Sequence, residues 1–122
     1  MSKRILIVDD DVDDQLLIQR AILEVTSEHY FIIANNGNEA INLVEQHKHF
    51  DIVLLDLNMP LMNGFDTLKI IKQLNSDIPV VIISTSSLTY DIERCKRLGA
   101  DQYIVKPDTF TSLVNKLKHV LE

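Results

Sequence analysis

A chain of 122 residues with 46% apolar side chains is long enough for one domain with its own buried core, and its lone cysteine, Cys95, excludes a disulfide framework. A formal charge of −6, with Lys and Arg scattered along the chain, excludes the basic stripe of a nucleic-acid binder and the polybasic block of a membrane-surface protein. No apolar run is long enough to span a bilayer, and the first one, after Lys3 and Arg4, meets acidic residues too soon for a signal peptide, so a cytoplasmic setting is expected.

Ile5–Val8 opens the pattern with a nearly continuous β-branched run, as expected of a strand covered on both faces. Asp9-Asp10-Asp11 follows at once. Ile18, Ala21, Ile22 and Val25 then recur at i, i+3, i+4 and i+7, one face of a first helix. Asp11, Asp13 and Asp14 are read mainly as capping that helix and complementing its dipole, whereas Asp9 and Asp10 are not. A calcium loop is excluded, because Asp14 stands in the glycine position and Arg20 in that of the final acidic ligand.

Tyr30–Ile33 predicts the second strand, and Asn36 with Glu39 forms an Asn-led capping box at the start of the second helix. Ile52–Leu55 predicts the third strand, ending at Asp56, with Pro60 and Gly64 as punctuation in the loop beyond. Leu68, Ile71 and Leu74 mark the third helix. Val80–Ile83 predicts the fourth strand, ending at Ser84-Thr85. Ile92, Cys95 and Leu98 mark the fourth helix, with Cys95 as a core residue and Gly99 where a left-handed stop belongs. Tyr103–Val105 predicts the fifth strand, ending at Lys106-Pro107, and Phe110, Leu113, Val114, Leu117 and Leu121 line the last helix. His29, His47, His49 and His119 have no metal-ligand spacing and are read as surface residues.

The gaps between strands suit helical crossovers and are too long for hairpins. The expected fold is α/β: one (βα)5 domain over residues 1–122, with a doubly wound five-stranded parallel sheet and right-handed crossovers. Strand order is not legible in this pattern; the flavodoxin-like order 2-1-3-4-5 is the natural choice for five strands.

Parallel strands end at one edge, where ligand crevices form. Asp9 and Asp10, Asp56, Ser84 and Lys106 would all gather there, leaving only the second strand, ending at Asn35-Asn36, without a charged or hydroxyl group. Crowded carboxylates resist ionisation unless a cation lies among them, and a hard divalent ion such as Mg2+ meets that need. A carboxylate beside such an ion is a nucleophile toward phosphorus and needs no base. A lysine and a hydroxyl can neutralise the transferring oxygens. The set suits Mg2+-assisted phosphoryl transfer to Asp56.

Four segments carry a family resemblance: Ile-Leu-Ile-Val-Asp9-Asp10-Asp11; Leu-Leu-Asp56-Leu-Asn-Met-Pro60-Leu-Met-Asn-Gly64; Val-Val-Ile-Ile-Ser84-Thr; and Leu-Gly99-Ala-Asp-Gln-Tyr103-Ile-Val-Lys106-Pro107. Together they resemble the receiver domain of bacterial two-component response regulators from Ile5 to Leu121, most of all its stand-alone, chemotaxis-type members with no output domain. The resemblance implies that Asp56 is the phosphoacceptor, that Asp10 ligates the metal directly and Asp9 mainly through water, and that the Asn58 carbonyl completes the protein's share of the shell. It further implies that Ser84 and Lys106 contact the phosphoryl group, that Tyr103 is a switch aromatic, and that the Lys106–Pro107 bond is cis. Asn58 and Ser86, two residues beyond Asp56 and Ser84, would tune hydrolysis. Ser84 departs from the threonine common in the family, and Asn63 from the aspartate common before Gly64.

The implied function is a single-domain response regulator that takes a phosphoryl group from a histidine kinase or histidine phosphotransfer protein. It would catalyse only its own phosphorylation and dephosphorylation. It would signal to a downstream protein partner, through the face of the fourth helix, fifth strand and fifth helix, or by onward phosphotransfer, as a monomer or weak homodimer. A phosphatase of the haloacid-dehalogenase type is the rival from another class, but the chain is short for that fold and Asp56 would have no role. A degenerate receiver that binds without phosphorylation fits poorly with the complete acidic set.

Overall fold

The structure, a computed structural model, describes residues 3–25, 28–47, 49–59 and 62–122. Pro60 lies outside the described residues, as does the side chain of His47. Five strands alternate with five helices: β1 (Arg4–Val8), α1 (Val12–Val25), β2 (Tyr30–Ala34), α2 (Gly37–His47), β3 (Ile52–Leu55), α3 (Gly64–Leu74), β4 (Val80–Ser84), α4 (Thr89–Arg97), β5 (Gln102–Val105) and α5 (Phe110–Leu121). The sheet is parallel throughout, in the order β2-β1-β3-β4-β5. No described helix is long and apolar enough to cross a membrane.

The continuous apolar runs are explained by two cores, one on each face of the sheet. Alternate residues Leu6, Val8, Val53, Leu55, Val80 and Ile82 pack with Ala40 and Val44 of α2, Leu68 and Ile71 of α3, and Cys95 of α4. Their neighbours Ile5, Ile7, Ile52, Leu54, Val81 and Ile83 pack with Ile18, Ala21 and Ile22 of α1 and with Leu113, Leu117 and Leu121 of α5. Successive strand side chains point to opposite faces, so covering both faces removes the polar alternation of a half-exposed strand. Leu74 and Phe110, expected on apolar stripes, are instead 44% and 40% exposed. Each is the terminal residue of its helix, at the limit of the packed face.

Local signals close the elements. Asn36 Oδ1 accepts the Glu39 N–H at 2.9 Å, and Asn63 and Thr109 cap α3 and α5 in the same way. Gly99 has φ 105° and ends α4, with the Ala100 N–H reaching the Cys95 carbonyl at 3.0 Å. His49 and His119 are exposed, but His29 is half-buried and its Nδ1 accepts the Lys3 N–H at 3.0 Å. The Lys106–Pro107 bond, expected cis, is trans, since no cis peptide occurs among the described residues. The X–Pro amide favours trans by about 0.5–1 kcal/mol, and the backbone here keeps that default.

At the end of the sheet opposite the acidic residues, Lys72 Nζ donates to the Ile78 carbonyl at 2.6 Å and to Asp101 Oδ2 at 2.9 Å. That same Asp101 oxygen accepts the Val80 N–H at 2.8 Å, so one ammonium ties α3 to the starts of β4 and β5. Lys72→Met keeps most of the stem but removes the donor from the Ile78 carbonyl and the charge partner from Asp101. It is expected to cost about 1–2 kcal/mol, read as a lower urea midpoint with an unchanged slope.

Candidate functional site

Adjacent parallel strands in register deliver the acidic residues to one place. Val8 is level with Leu55, so Asp9 and Asp56 leave β1 and β3 side by side. The Asp56 N–H donates to the Val8 carbonyl at 3.0 Å and the Asp9 N–H to the Ala34 carbonyl at 3.1 Å, carrying the ladder one residue past the strands. Asp9 is 1% and Asp56 6% exposed, while Asp10 sits exposed beside them. Each of the three offers a carboxylate oxygen, and these oxygens all lie within 4.8 Å of one another. Gly64 keeps the following loop tight against this edge: a Cβ there would lie 2.5 Å from the Asp56 carbonyl oxygen.

The electrostatics are those of a site short of positive charge. Burial pushes the Asp9 carboxyl up to about 6; the Asp11 N–H, at 3.0 Å from Asp9 Oδ1, and Lys106 oppose the rise, while the Asp56 charge adds to it. Burial also raises Asp56, against the pull of Lys106 and of the Asn58 N–H, with the Asp10 charge adding to the rise. Asp9 Oδ2 is buried with no hydrogen-bond partner among the described residues. Three hard oxygen donors, one with its acceptor capacity unmet, fit a hard divalent cation that keeps part of its water shell.

Lys106 follows β5 and its N–H donates to the Ser84 carbonyl at 2.7 Å. Its ammonium stands 3.8 Å from Asp9 Oδ2 and 3.8 Å from Asp56 Oδ1, but only 2.9 Å from Asp14 Oδ2. Burial lowers its pKa; the hydrogen bond it donates to Asp14 and the charges of Asp56 and Asp9 outweigh that, and the net direction is upward. The acidic run sits at the start of α1 as expected, with Asp13 and Asp14 in the first turn, but one of its members has a further partner. Asp11 does cap α1, its Oδ1 accepting from the Asp13 and Asp14 N–H groups at 2.8 and 3.2 Å. Asp14, in that first turn, is also the nearest partner of Lys106.

Ser84, the last residue of β4, is fully buried, and its Oγ accepts the Ser86 N–H at 3.1 Å. Ser86 binds in two further directions: its Oγ donates to Asp91 Oδ2 at 2.6 Å and its carbonyl accepts from the Tyr103 hydroxyl at 2.8 Å. Ser84, α4 and β5 thus meet at one residue, with the Tyr103 ring half-buried against the core. Asn58 is exposed at the rim.

Gln15 and Asp91 went unread in the sequence, and Asp14 was read only as a charge at the start of α1. Gln15 is buried, and its Nε2 donates to the Asp9 carbonyl at 2.6 Å and to Asn35 Oδ1 at 2.8 Å, joining the end of β2 to the site. A polar residue one turn before Ile18 on the apolar face of α1 was its signal. Asp91 and Asp14 carried none, the latter because its partner lies 92 residues away.

A profile of the response regulator receiver domain family matches residues 5–118. The transcriptional regulatory protein PrrA of Mycobacterium tuberculosis is 32% identical over 120 residues, which cover 98% of this chain and 50% of PrrA. The chain thus spans about half the length of this curated relative. Among solved structures, the phosphorylated cyanobacterial phytochrome response regulator RcpA superposes with a TM-score of 0.89 at 31% identity, covering 98% of this chain and 91% of that one. The Mn2+-bound form of response regulator Rcp1 superposes with a TM-score of 0.82 at 31% identity, covering 97% and 91%.

A carboxyl whose folded pKa is raised leaves the native state holding more protons than the unfolded chain, so stability falls as pH rises through that interval. For Asp9 the interval runs from 3.8 to about 6, and the loss amounts to about 3 kcal/mol, complete above the upper value. In metal-free buffer, urea unfolding at a series of pH values is expected to show this decline, flattened in Asp9→Asn. A wild-type profile that falls no more steeply than that of Asp9→Asn between pH 4 and pH 6 would contradict it.

Proposed function

This chain belongs to the response regulator receiver domain family, and on that premise we propose that it accepts a phosphoryl group on Asp56. The observation that carries the reading is the convergence of Asp9, Asp10 and Asp56, with Lys106 3.8 Å from the Asp56 carboxylate, at the edge where parallel strands end. Asp9, Asp10, Asp56 and the Asn58 carbonyl would hold Mg2+. When bound, the ion supplies positive charge against the carboxylates and the phosphoryl oxygens. The reading is supported by two similar proteins, RcpA in a phosphorylated form and Rcp1 in a Mn2+-bound form.

The phosphodonor in this reading is a phosphohistidine on a histidine kinase or histidine phosphotransfer protein. An Asp56 oxygen attacks phosphorus, the P–O bond forms as the P–N bond breaks, and the donor ring, already protonated on its other nitrogen, departs with the electron pair as neutral imidazole. Asp56 needs no base once ionised, and Lys106 offsets charge on the transferring oxygens. The chain's catalysis is confined to its own phosphorylation and the later hydrolysis of the acyl phosphate. Asn58 and Ser86 are small and polar and give the phosphoryl group little shielding from water.

The output of this reading runs through Ser86. A phosphoryl group brings a charge of about −2 and strong acceptors, which draw the Ser84 hydroxyl inward as a donor. Ser84 Oγ then leaves the Ser86 N–H, and the Ser86 carbonyl and the Tyr103 hydroxyl repack with it. Beside Tyr103 lies a half-open surface groove of about 200 Å³, lined by Ile92, Cys95 and Ala100 and by the polar Lys96, Asp101 and Gln102, that gives the ring and the α4–β5 face room for a second packing. Phosphorylation biases the two packings by its different contacts in each. A downstream protein partner reads the α4–β5–α5 face, or the group passes onward; the chain acts as one receiver domain, monomeric or weakly dimeric.

With a small phosphodonor and Mg2+, intact mass is expected to show one adduct on the wild type and none on Asp56→Asn. Labelling of that variant at the wild-type rate would refute the assignment, and phosphate turnover without an adduct would indicate a phosphatase. Ser84→Ala is expected to accept the phosphoryl group yet lose most of the phosphorylation-dependent NMR shift changes across α4, β5 and α5. Full retention of those changes would remove Ser84 from the switch.

A further inference from the structure

Lys106 has three carboxylates within reach, and it hydrogen-bonds the one that lies outside the acidic triad. Asp14 Oδ2 is 2.9 Å from the ammonium, whereas Asp9 Oδ2 and Asp56 Oδ1 are each 3.8 Å away, beyond hydrogen-bond distance. Coulomb attraction alone would favour the other two, whose side chains are 1% and 7% exposed against 36% for Asp14, because a drier pair attracts more strongly. Geometry reverses that order. The Lys106 backbone is pinned to Ser84 by a 2.7 Å hydrogen bond, and Lys106 shares a small groove with Leu17, Ile83, Pro107 and Leu113, where Asp14 on the first turns of α1 lies at the rim.

We propose that Asp14 is a positioning residue that holds the Lys106 ammonium off Asp56 in the unphosphorylated protein and competes with the phosphoryl group for it afterwards. This rests on the reading of Asp56 as phosphoacceptor. Before transfer, an ammonium 3.8 Å away lends its field to the Asp56 carboxylate without occupying an oxygen lone pair needed for attack. After transfer, three phosphoryl oxygens carrying about two negative charges outcompete one partly solvated carboxylate, and the Asp14–Lys106 bond breaks. Every phosphorylation therefore includes the loss of that ion pair. Asp14 lowers the affinity of the site for a phosphoryl group by the strength of the pair, and so helps set the population of the phosphorylated state.

The test is a double-mutant cycle on the binding of beryllofluoride, a non-reactive phosphoryl mimic, at saturating Mg2+, followed by fluorine NMR. Asp14→Asn, which keeps the shape and removes the charge, is expected to bind roughly two- to fivefold more tightly than wild type. In a Lys106→Met background the same substitution is expected to change affinity hardly at all, because the competition acts through the lysine. Equal or weaker binding by Asp14→Asn would overturn the proposal. So would equal tightening with and without Lys106, which would mean that Asp14 acts only by through-space repulsion. Should Lys106→Met bind too weakly to measure, a crystal structure of the wild-type beryllofluoride complex decides: the Lys106 ammonium must contact a fluoride and lie beyond hydrogen-bond distance of Asp14. A wild type that binds no beryllofluoride would instead refute Asp56 as phosphoacceptor.

Discussion

Asp9 and Asp56 leave neighbouring parallel strands at the same level, both buried and both raised in pKa by that burial. Two carboxylates held side by side in a dry crevice are unfavourable when both are ionised, and the surrounding residues answer to that cost. Lys106 lends its charge from across the sheet edge, the Asp11 N–H takes one Asp9 oxygen, and Gln15 braces the Asp9 carbonyl. None of these satisfies Asp9 Oδ2. The rest of the domain has one apolar core on each face of the sheet and a capped helix following each of β1, β2, β3 and β5, so the unfavourable charge lies at the edge where chemistry is proposed.

The same edge shows how a local change could travel. Ser86 has its amide, hydroxyl and carbonyl engaged by Ser84, Asp91 and Tyr103 respectively. Loss of the Ser84 contact would bear on the other two partners, which is the coupling the proposed switch needs. The surface groove beside Tyr103 is the room that the proposed repacking would use.

Asp14 illustrates how a bland assignment can miss a partner. Its place in the first turn of α1 accounts for an acidic residue by the helix dipole alone, and nothing further along the helix contradicts that. The contact with Lys106 depends on α1 and the end of β5 lying together, which follows from α1 and α5 packing on the same face of the sheet.

The fold was legible in the residue order because its signals are local. Each uninterrupted apolar run became a strand, with pairing carried one residue further at Arg4, Ala34, Ser84 and Gln102, and Asn36 and Gly99 placed helix ends where their backbone chemistry required. The convergence of Asp9, Asp10, Asp56 and Lys106 was legible too, because parallel strands must end at a common edge whatever their order. Tertiary structure alone decided what depends on distance and direction. It placed Asp14 rather than Asp56 against Lys106, kept the Lys106–Pro107 bond trans, left Leu74 and Phe110 in solvent, and turned Gln15 inward to Asp9 and Asn35. Periodicity reports which face a side chain occupies, but rotamers and pairings between residues far apart in the chain are settled only when the elements pack.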